Sequence, residues 1–468
     1  MNKKLLIISF GRLTQMLLLF ATVRVLSKVF TVDEMGNYYF LLSIAAAYGL
    51  IWANPIGMYV NRKIHEWHNN GVLKKNLYKI NLLYIVGALL LIPILIIFRS
   101  KLNSETSVLV ASSILITFIF STTVNNTLIP ALNLLGESFK FVILTNLTNI
   151  LGLVISYVFV TTILHDPYMW LLGQAISFLV LSVIAMLFIS KMNLKTSKEI
   201  DSNFNLNELL KFGVPVAFTN VFVWGMSQSF RFFLKDNIDS DYFGKMVFGF
   251  GLATSLCVAV EYLFQQLYLP KFYNDLNETS EKKQIAWNVY LNKVVPSYLA
   301  LILFIIGLSP FLMKLLADLK FKDSFKFLAV GAIIEFLRML GNVFNMAMHA
   351  NMNTKKSVVP YVLGGSFTIL TILFIGHNPK YASWIALSLA GGHLLSSIIL
   401  KNEVNKIFKI NFDFSNFFKV ACLAFVLLIP ILINSEDKNA LYSMTIIFPF
   451  GLVLLGIFYW QFKKHEDA

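Results

Sequence analysis

The residues of this chain best suited to chemistry are basic side chains set inside membrane-length apolar runs. Residues 5 to 36, LLIISFGRLTQMLLLFATVRVLSKVFTVDEMG, carry Arg12 and Arg24. Arginine in hydrocarbon is costly enough that it faces a protein interior or a watery cavity. Its permanent charge and forked donors suit it to phosphate. The same pattern is written again at residues 210 to 244, LKFGVPVAFTNVFVWGMSQSFRFFLKDNIDSDYFG. There Arg231 takes the place of Arg24, Lys235 that of Lys28, Asp241 that of Asp33 and Gly244 that of Gly36, about 207 residues later with one residue of slippage. The chemistry this predicts is anion binding, with Arg12, Arg24, Arg231, Lys28 and Lys235 as ligands. For Arg24 and Arg231, each within about a turn of a run's far end, the alternative is snorkelling or pairing with Asp33, Glu34, Asp236 or Asp241. Arg12 lies deeper, roughly 10 Å into the first run at 1.5 Å per residue.

Other charges read as internal pairs. Glu261 and Lys293 stand at similar depth in consecutive antiparallel runs and predict a structural ion pair. Glu335 and Arg338, at i and i+3 of one helix, predict a local pair, with a role in proton or sodium coupling as the alternative. His349 and His393 read as satisfied interior histidines. Cys257 and Cys422, both in apolar runs, read as packing residues, with no disulfide framework or metal-ligand spacing. No Gly-rich phosphate loop, HExxH, nucleophile elbow or Asp-rich cluster is present, so neither ATP hydrolysis nor a catalytic or metal centre is expected. His165 with Asp166 falls in a short turn beside Pro167. The drive stays open between an ion gradient, H+ or Na+, and downstream consumption of the product.

The elements that must position these residues are membrane helices. Hydrophobic residues make up 57% of the 468, charged residues only 14%, and the mean hydropathy is +0.69, values foreign to a soluble domain. Taking about 20 apolar residues per crossing, spans fall near 5 to 27, 37 to 60, 77 to 98, 107 to 129, 140 to 163 and 168 to 190. A polar segment at 191 to 208 follows. Further spans lie near 210 to 234, 244 to 268, 288 to 308, 325 to 350, 358 to 376, 381 to 400, 416 to 434 and 440 to 461. The reading is an all-α integral membrane protein of about fourteen transmembrane helices. It comprises a six-helix lobe (1–190), a cytoplasmic linker (191–208), a second, pseudo-symmetric six-helix lobe (209–402) and two further helices with a tail (403–468). A weaker echo supports the two halves: ALNLLGESFKFVILTNLTNIL from 131 and ANMNTKKSVVPYVLGGSFTIL from 350 place Ser138 and Ser357 at the same offset in short polar turns. Pro55, Pro93, Pro215 and Pro296 interrupt apolar runs and are candidate bends.

The formal charge of +14 is sorted by loop. Those on the side of the N-terminus carry about 21 Lys and Arg against about 9 on the other, which puts both termini in the cytoplasm. The dispersal of these charges over short loops argues against nucleic-acid binding. The first run lacks a small-x-small cleavage site and reads as a span, not a signal peptide.

On the segments RVLSKVFTVDEMGNYYFLLSIA and LLKFGVPVAFTNVFVWGMSQSFRFFLKDNIDSDYFGKMVFGF the chain resembles the Wzx-type polysaccharide and O-antigen flippases. These belong to the MOP superfamily, with the MATE drug exporters and lipid II flippases. The resemblance implies two six-helix lobes around a cationic cavity and transfer of an undecaprenyl-diphosphate-linked oligosaccharide to the periplasmic leaflet of the bacterial inner membrane. It also implies Arg12, Arg24 and Arg231 at the diphosphate, and partners among a polymerase and other polysaccharide-assembly proteins. Two rivals remain. A cation-coupled exporter of the same superfamily predicts acidic cavity residues, whereas the opening helix offers arginines. A membrane polymerase or ligase predicts a large external loop, whereas the longest external segment, 308 to 323, holds about 16 residues, too few for a folded lobe.

Overall fold

The computed structural model describes residues 3–97, 99–102, 107–192, 204–275, 280–350, 354–433 and 440–463, with their side chains except at 3–10, 266–275, 280, 349–350, 354 and 462. Residues 193–203 of the expected linker and the side chain of His349 lie outside that set. Among the described residues the chain is helical, without strands: α1 Lys3–Val29, α2 Val32–Tyr48, α3 Asn54–Asn69, α4 Leu73–Leu89, α5 Leu91–Ile97, α6 Val108–Leu134, α7 Ser138–Thr162, α8 Pro167–Ser190, α9 Leu206–Ser227, α10 Ser229–Leu234, α11 Ser240–Asp275, α12 Ser280–Leu316, α13 Phe325–Ala350, α14 Val358–His377, α15 Ile385–Asn405, α16 Phe414–Phe425 and α17 Ala440–Lys463. Thirteen segments among the described residues are long and apolar enough to cross a membrane. The protein is an all-α, multi-pass membrane protein.

Helices overrun the apolar spans. α2 and α3 join through a π-helical turn, Gly49–Ala53, into a segment of 38 residues. Pro55 follows directly, at the first turn of α3; its missing N–H removes one rung, and the widened turn before it absorbs the loss. α12 runs on to Leu316, so the segment 308–323 is helix followed by a 3-10 stretch, Leu319–Ser324, that Asp318 caps, not a loop. Asp166 likewise caps α8, accepting from the Tyr168 N–H at 2.8 Å.

The chain forms two compact units: residues 1–26 with 40–224, and residues 27–39 with 225–468. In the first, the face of α3 carrying Ile56, Tyr59, Val60, Ile64 and Trp67 packs on Leu77, Ile80 and Tyr84 of α4 and Leu128 and Leu132 of α6. Arg62, Lys63 and Glu66 occupy the opposite face. α7 and α8 meet through small residues: a Cβ at Gly173 would lie 2.5 Å from Ser156 Cα, and Ser156 and Ser177 donate to the carbonyls of Trp170 and Thr148. The second unit repeats the device between α14 and α15, where a Cβ at Gly392 would strike Thr368 Oγ1 and one at Gly364 would lie 2.5 Å from the Gly392 carbonyl oxygen. Small residues let membrane helices approach and spend their hydroxyls on the facing backbone.

The duplicated sequence acquires a structural meaning here. Gly36 and Gly244 lie against each other in the second unit: a Cβ on Gly36 would come 3.6 Å from Gly244 Cα, and one on Gly244 would come 2.1 Å from the Val32 carbonyl oxygen. Ser138 and Ser357 are equally matched, each donating to an asparagine Oδ1, of Asn133 and Asn345 respectively, at 2.7 Å.

Candidate functional site

Arg231 stands just past a break in a helix. α9 ends at Ser227, Gln228 adopts φ −130° and ψ −18°, and α10 resumes at Ser229. The run 210–234 is therefore two helices, and the polar cluster Ser227, Gln228, Ser229 inside it is the signal for the break. Ser229 Oγ donates to the Gly225 carbonyl, and the Gln228 carbonyl accepts from the Arg231 N–H. The guanidinium is held by the same residue that breaks the helix, Nη1 donating to Gln228 Oε1 at 2.6 Å, and it lies over the Tyr39 ring, 4.9 Å from the centroid, and beside Phe230 at 5.4 Å. Arg231 is 6% exposed and its Nε has no hydrogen-bond partner among the described residues. Among the described residues no carboxylate forms an ion pair with it, Glu335 acting on it only from a distance. A neutral amide and aromatic faces orient this cation without cancelling its charge.

Arg12, partly buried in the first unit, also meets an amide and an aromatic face. Its Nη1 donates to Gln15 Oε1 at 2.7 Å, and its guanidinium lies 5.5 Å from the Phe141 centroid. The neighbouring Gly11 allows α7 to approach, since a Cβ there would stand 2.4 Å from Val142 Cγ1. Arg24 is half-buried near the end of α1, Lys28 is exposed and Lys235, at the end of α10, is buried. Of the acids weighed as partners, Glu34 forms a reciprocal cap with Thr31 at the start of α2, and Asp241 pairs with Lys245 at 2.7 Å. The Lys28 and Ser27 positions are anchored to the segment before α13: the Asp318 N–H donates to Ser27 Oγ and Lys320 Nζ to the Lys28 carbonyl.

A separate buried charge network occupies α11 and α13 in the second unit. Glu335 and Arg338 form the expected local pair, Nε to Oε2 at 2.6 Å. Glu261, expected opposite Lys293, accepts from Arg338 Nη2 and from Asn342 Nδ2, both at 2.8 Å, while Glu335 Oε1 also accepts from Thr254 Oγ1 at 2.7 Å. Lys293 is buried on α12, its carbonyl accepting from Ser297 Oγ. His393 is buried on α15 within electrostatic range of Glu335 and Arg338. Cys257 is buried, but Cys422 is exposed on α16, so it is not the packing residue the sequence predicts. Among the described residues no His, Cys, Asp and Glu group could hold a metal.

The sequence matches no known protein-family model and no curated protein. Its fold has solved counterparts. The lipid II flippase MurJ, in an inward closed conformation, superposes with a TM-score of 0.66 at 16% identity, over 99% of this chain and 100% of that one. An inward-facing multidrug-resistance MATE family transporter of the MOP superfamily gives 0.55 at 15% identity, over 85% and 98%. A MOP superfamily transporter from Pyrococcus furiosus, described by the reversed polarity of its binding pocket, gives 0.51 at 14%, over 86% and 93%. At such identities the likeness is one of architecture: this chain has the fold of the MOP superfamily transporters.

Proposed function

We propose that the protein is a flippase that carries an undecaprenyl-diphosphate-linked oligosaccharide, an O-antigen or similar repeat unit, from the cytoplasmic to the periplasmic leaflet of a bacterial inner membrane. Arg12, Arg24 and Arg231, with Lys28 and Lys235, are the anion ligands in this reading. The observation that carries it is Arg231, a buried guanidinium oriented by an amide and with no ion-paired carboxylate among the described residues. An uncompensated charge in a membrane protein is expensive and is kept where a mobile counter-charge arrives, which a diphosphate supplies. The discontinuity at Gln228 agrees, since transporter sites gather at broken helices. The fold shared with a lipid II flippase over nearly the whole chain supports a lipid-linked cargo. Glu261, Glu335 and Arg338 are the groups through which a proton or sodium gradient would act.

The test is transfer across proteoliposomes that contain the purified protein. A fluorescent undecaprenyl-diphosphate oligosaccharide should become accessible to an external quencher, whereas lipid II and a cationic dye should not move. Arg231→Gln should lower the rate by at least about tenfold, the equivalent of one lost charge-assisted contact of 1.5–3 kcal/mol, and Arg231→Lys should recover part of it. Equal transport by the Gln variant, or movement of the dye alone, would remove the flippase reading and leave the fold.

A further inference from the structure

The second unit contains a pocket of about 990 Å3 between α12, α13, α15 and the start of α16, at the upper end of the roughly 300–1,000 Å3 range of small-molecule sites. Its depth is apolar. Phe336, Leu340 and Phe344 line it at i, i+4 and i+8 of α13. Its mouth is apolar as well, for Leu394 and Ile398 of α15 and Phe414 of α16 are 45%, 49% and 64% exposed. These helices are membrane spans, so what reaches the pocket comes sideways out of the bilayer.

One end is charged. Lys401 lines the pocket from the last turns of α15, is exposed and forms no ion pair among the described residues, while Asp413, the carboxylate that also lines the pocket, caps α16 by accepting from the Asn416 N–H at 2.8 Å. The opposite wall is fixed. Gln284, Asn288 and Asn292, at i, i+4 and i+8 of α12, bind the extended segment 409–413 through its backbone. Asn288 Nδ2 donates to the Lys409 carbonyl at 3.0 Å and Asn288 Oδ1 accepts from the Asn411 N–H at 2.9 Å. Asn292 does the same one step on, to the Asn411 carbonyl at 2.8 Å and from the Asp413 N–H at 2.9 Å, while Gln284 Oε1 accepts from the Lys409 N–H at 3.3 Å. The wall that carries Phe412 and Phe414 is thus held open in advance of any ligand.

We propose that this pocket is a binding site for an anionic glycerophospholipid of the surrounding bilayer, an acyl chain lying along Phe336, Leu340 and Phe344 and the phosphate meeting Lys401. A hydrocarbon sleeve that opens laterally and ends at a lone ammonium fits an amphiphile with a negative head. The proposal is independent of the cargo and of Arg231, since the pocket is lined from α12, α13, α15, α16 and the segment before α16 and uses no residue of α1, α9 or α10.

The full-length protein in detergent, studied by native mass spectrometry, provides the test. Phosphatidylglycerol should be retained, diacylglycerol of the same chains should be retained several-fold less, and undecaprenyl phosphate should not displace phosphatidylglycerol at equal concentration. Lys401→Gln, at an exposed position, should weaken phosphatidylglycerol retention about fivefold, the worth of one basic residue at a membrane surface. Leu340→Trp should abolish retention by filling the sleeve, and if that variant does not fold, Ile398→Trp should do so by closing the mouth. Retention of diacylglycerol equal to that of phosphatidylglycerol, displacement by undecaprenyl phosphate, unchanged binding in Lys401→Gln, or full retention by a folded tryptophan variant would each overturn it.

Discussion

At the scale of the residue, the second unit contrasts two ways of burying a guanidinium. Arg338 is given two carboxylates, Glu261 and Glu335, backed by Asn342 and Thr254; Arg231 is given an amide and a tyrosine ring. The first arrangement is self-sufficient, the second asks for an anion. Arg338→Met should therefore destabilise the protein by about 3–5 kcal/mol, because it leaves two buried carboxylates without their cation. The triple change Glu261→Gln, Glu335→Gln, Arg338→Met should regain most of that loss. Thermal unfolding in detergent reads both. A triple variant that folds yet does not transport assigns the network a coupling role; one that folds and transports makes it structural. Only half of this network was legible beforehand. Glu335 and Arg338 are one helical turn apart, which spacing alone reveals, whereas the partner of Glu261 depends on which face of α11 meets α13, and depth along a helix does not specify a face.

At the scale of the element, the repeat marks a helix crossing as much as a ligand set. Arg, Lys, Asp and Gly recur in order, and the two glycines turn out to be each other's neighbours. The contact is not symmetric in its tolerance. A methyl group on Gly244 meets the backbone carbonyl of Val32, which cannot move without moving α2; one on Gly36 meets the edge of the Phe243 ring at 3.1 Å, which can. Gly244→Ala should cost about 1–3 kcal/mol or more from overpacking and Gly36→Ala distinctly less, as compared by the melting temperatures of the two purified variants. Equal melting temperatures would mean that α2 and α11 do not cross at Gly244. The glycines could be found in the sequence because they recur, but their pairing could not, since a repeat gives equivalence and not contact. The amide ladder of α12 shows the converse case. Gln284, Asn288 and Asn292 stand at helical spacing, yet an extended backbone as their partner has no periodic signature of its own, so nothing in the sequence singles them out. Asn292→Leu should release Asn411 and Asp413 and destabilise by about 1–3 kcal/mol, with α16 the first element to exchange its amide protons.

At the scale of the whole chain, composition settled the class, and loop charge predicts an orientation. Apolar runs located the helices because hydrocarbon forces backbone groups to be satisfied within each segment; their ends were less legible, since α11 and α12 continue through polar residues where hydropathy falls but helical hydrogen bonding does not. The orientation makes a prediction that hydropathy alone does not. With Lys and Arg concentrated on one side, a reporter fused after Lys191 or after Lys356 should be cytoplasmic, and one fused after His165 or after His377 should be periplasmic. Each pair brackets a single helix, α8 in the first half and α14, the counterpart of α7, in the second, so α8 and α14 should run in opposite directions and the four results together test whether the two halves share one sense. Alkaline phosphatase and green fluorescent protein fusions would report the two sides. A periplasmic signal at Lys191 combined with a cytoplasmic one at Lys356 would make the halves run in opposite senses across the membrane, and a repeat with parallel topology, on which the equivalence of Arg24 and Arg231 depends, would then be lost.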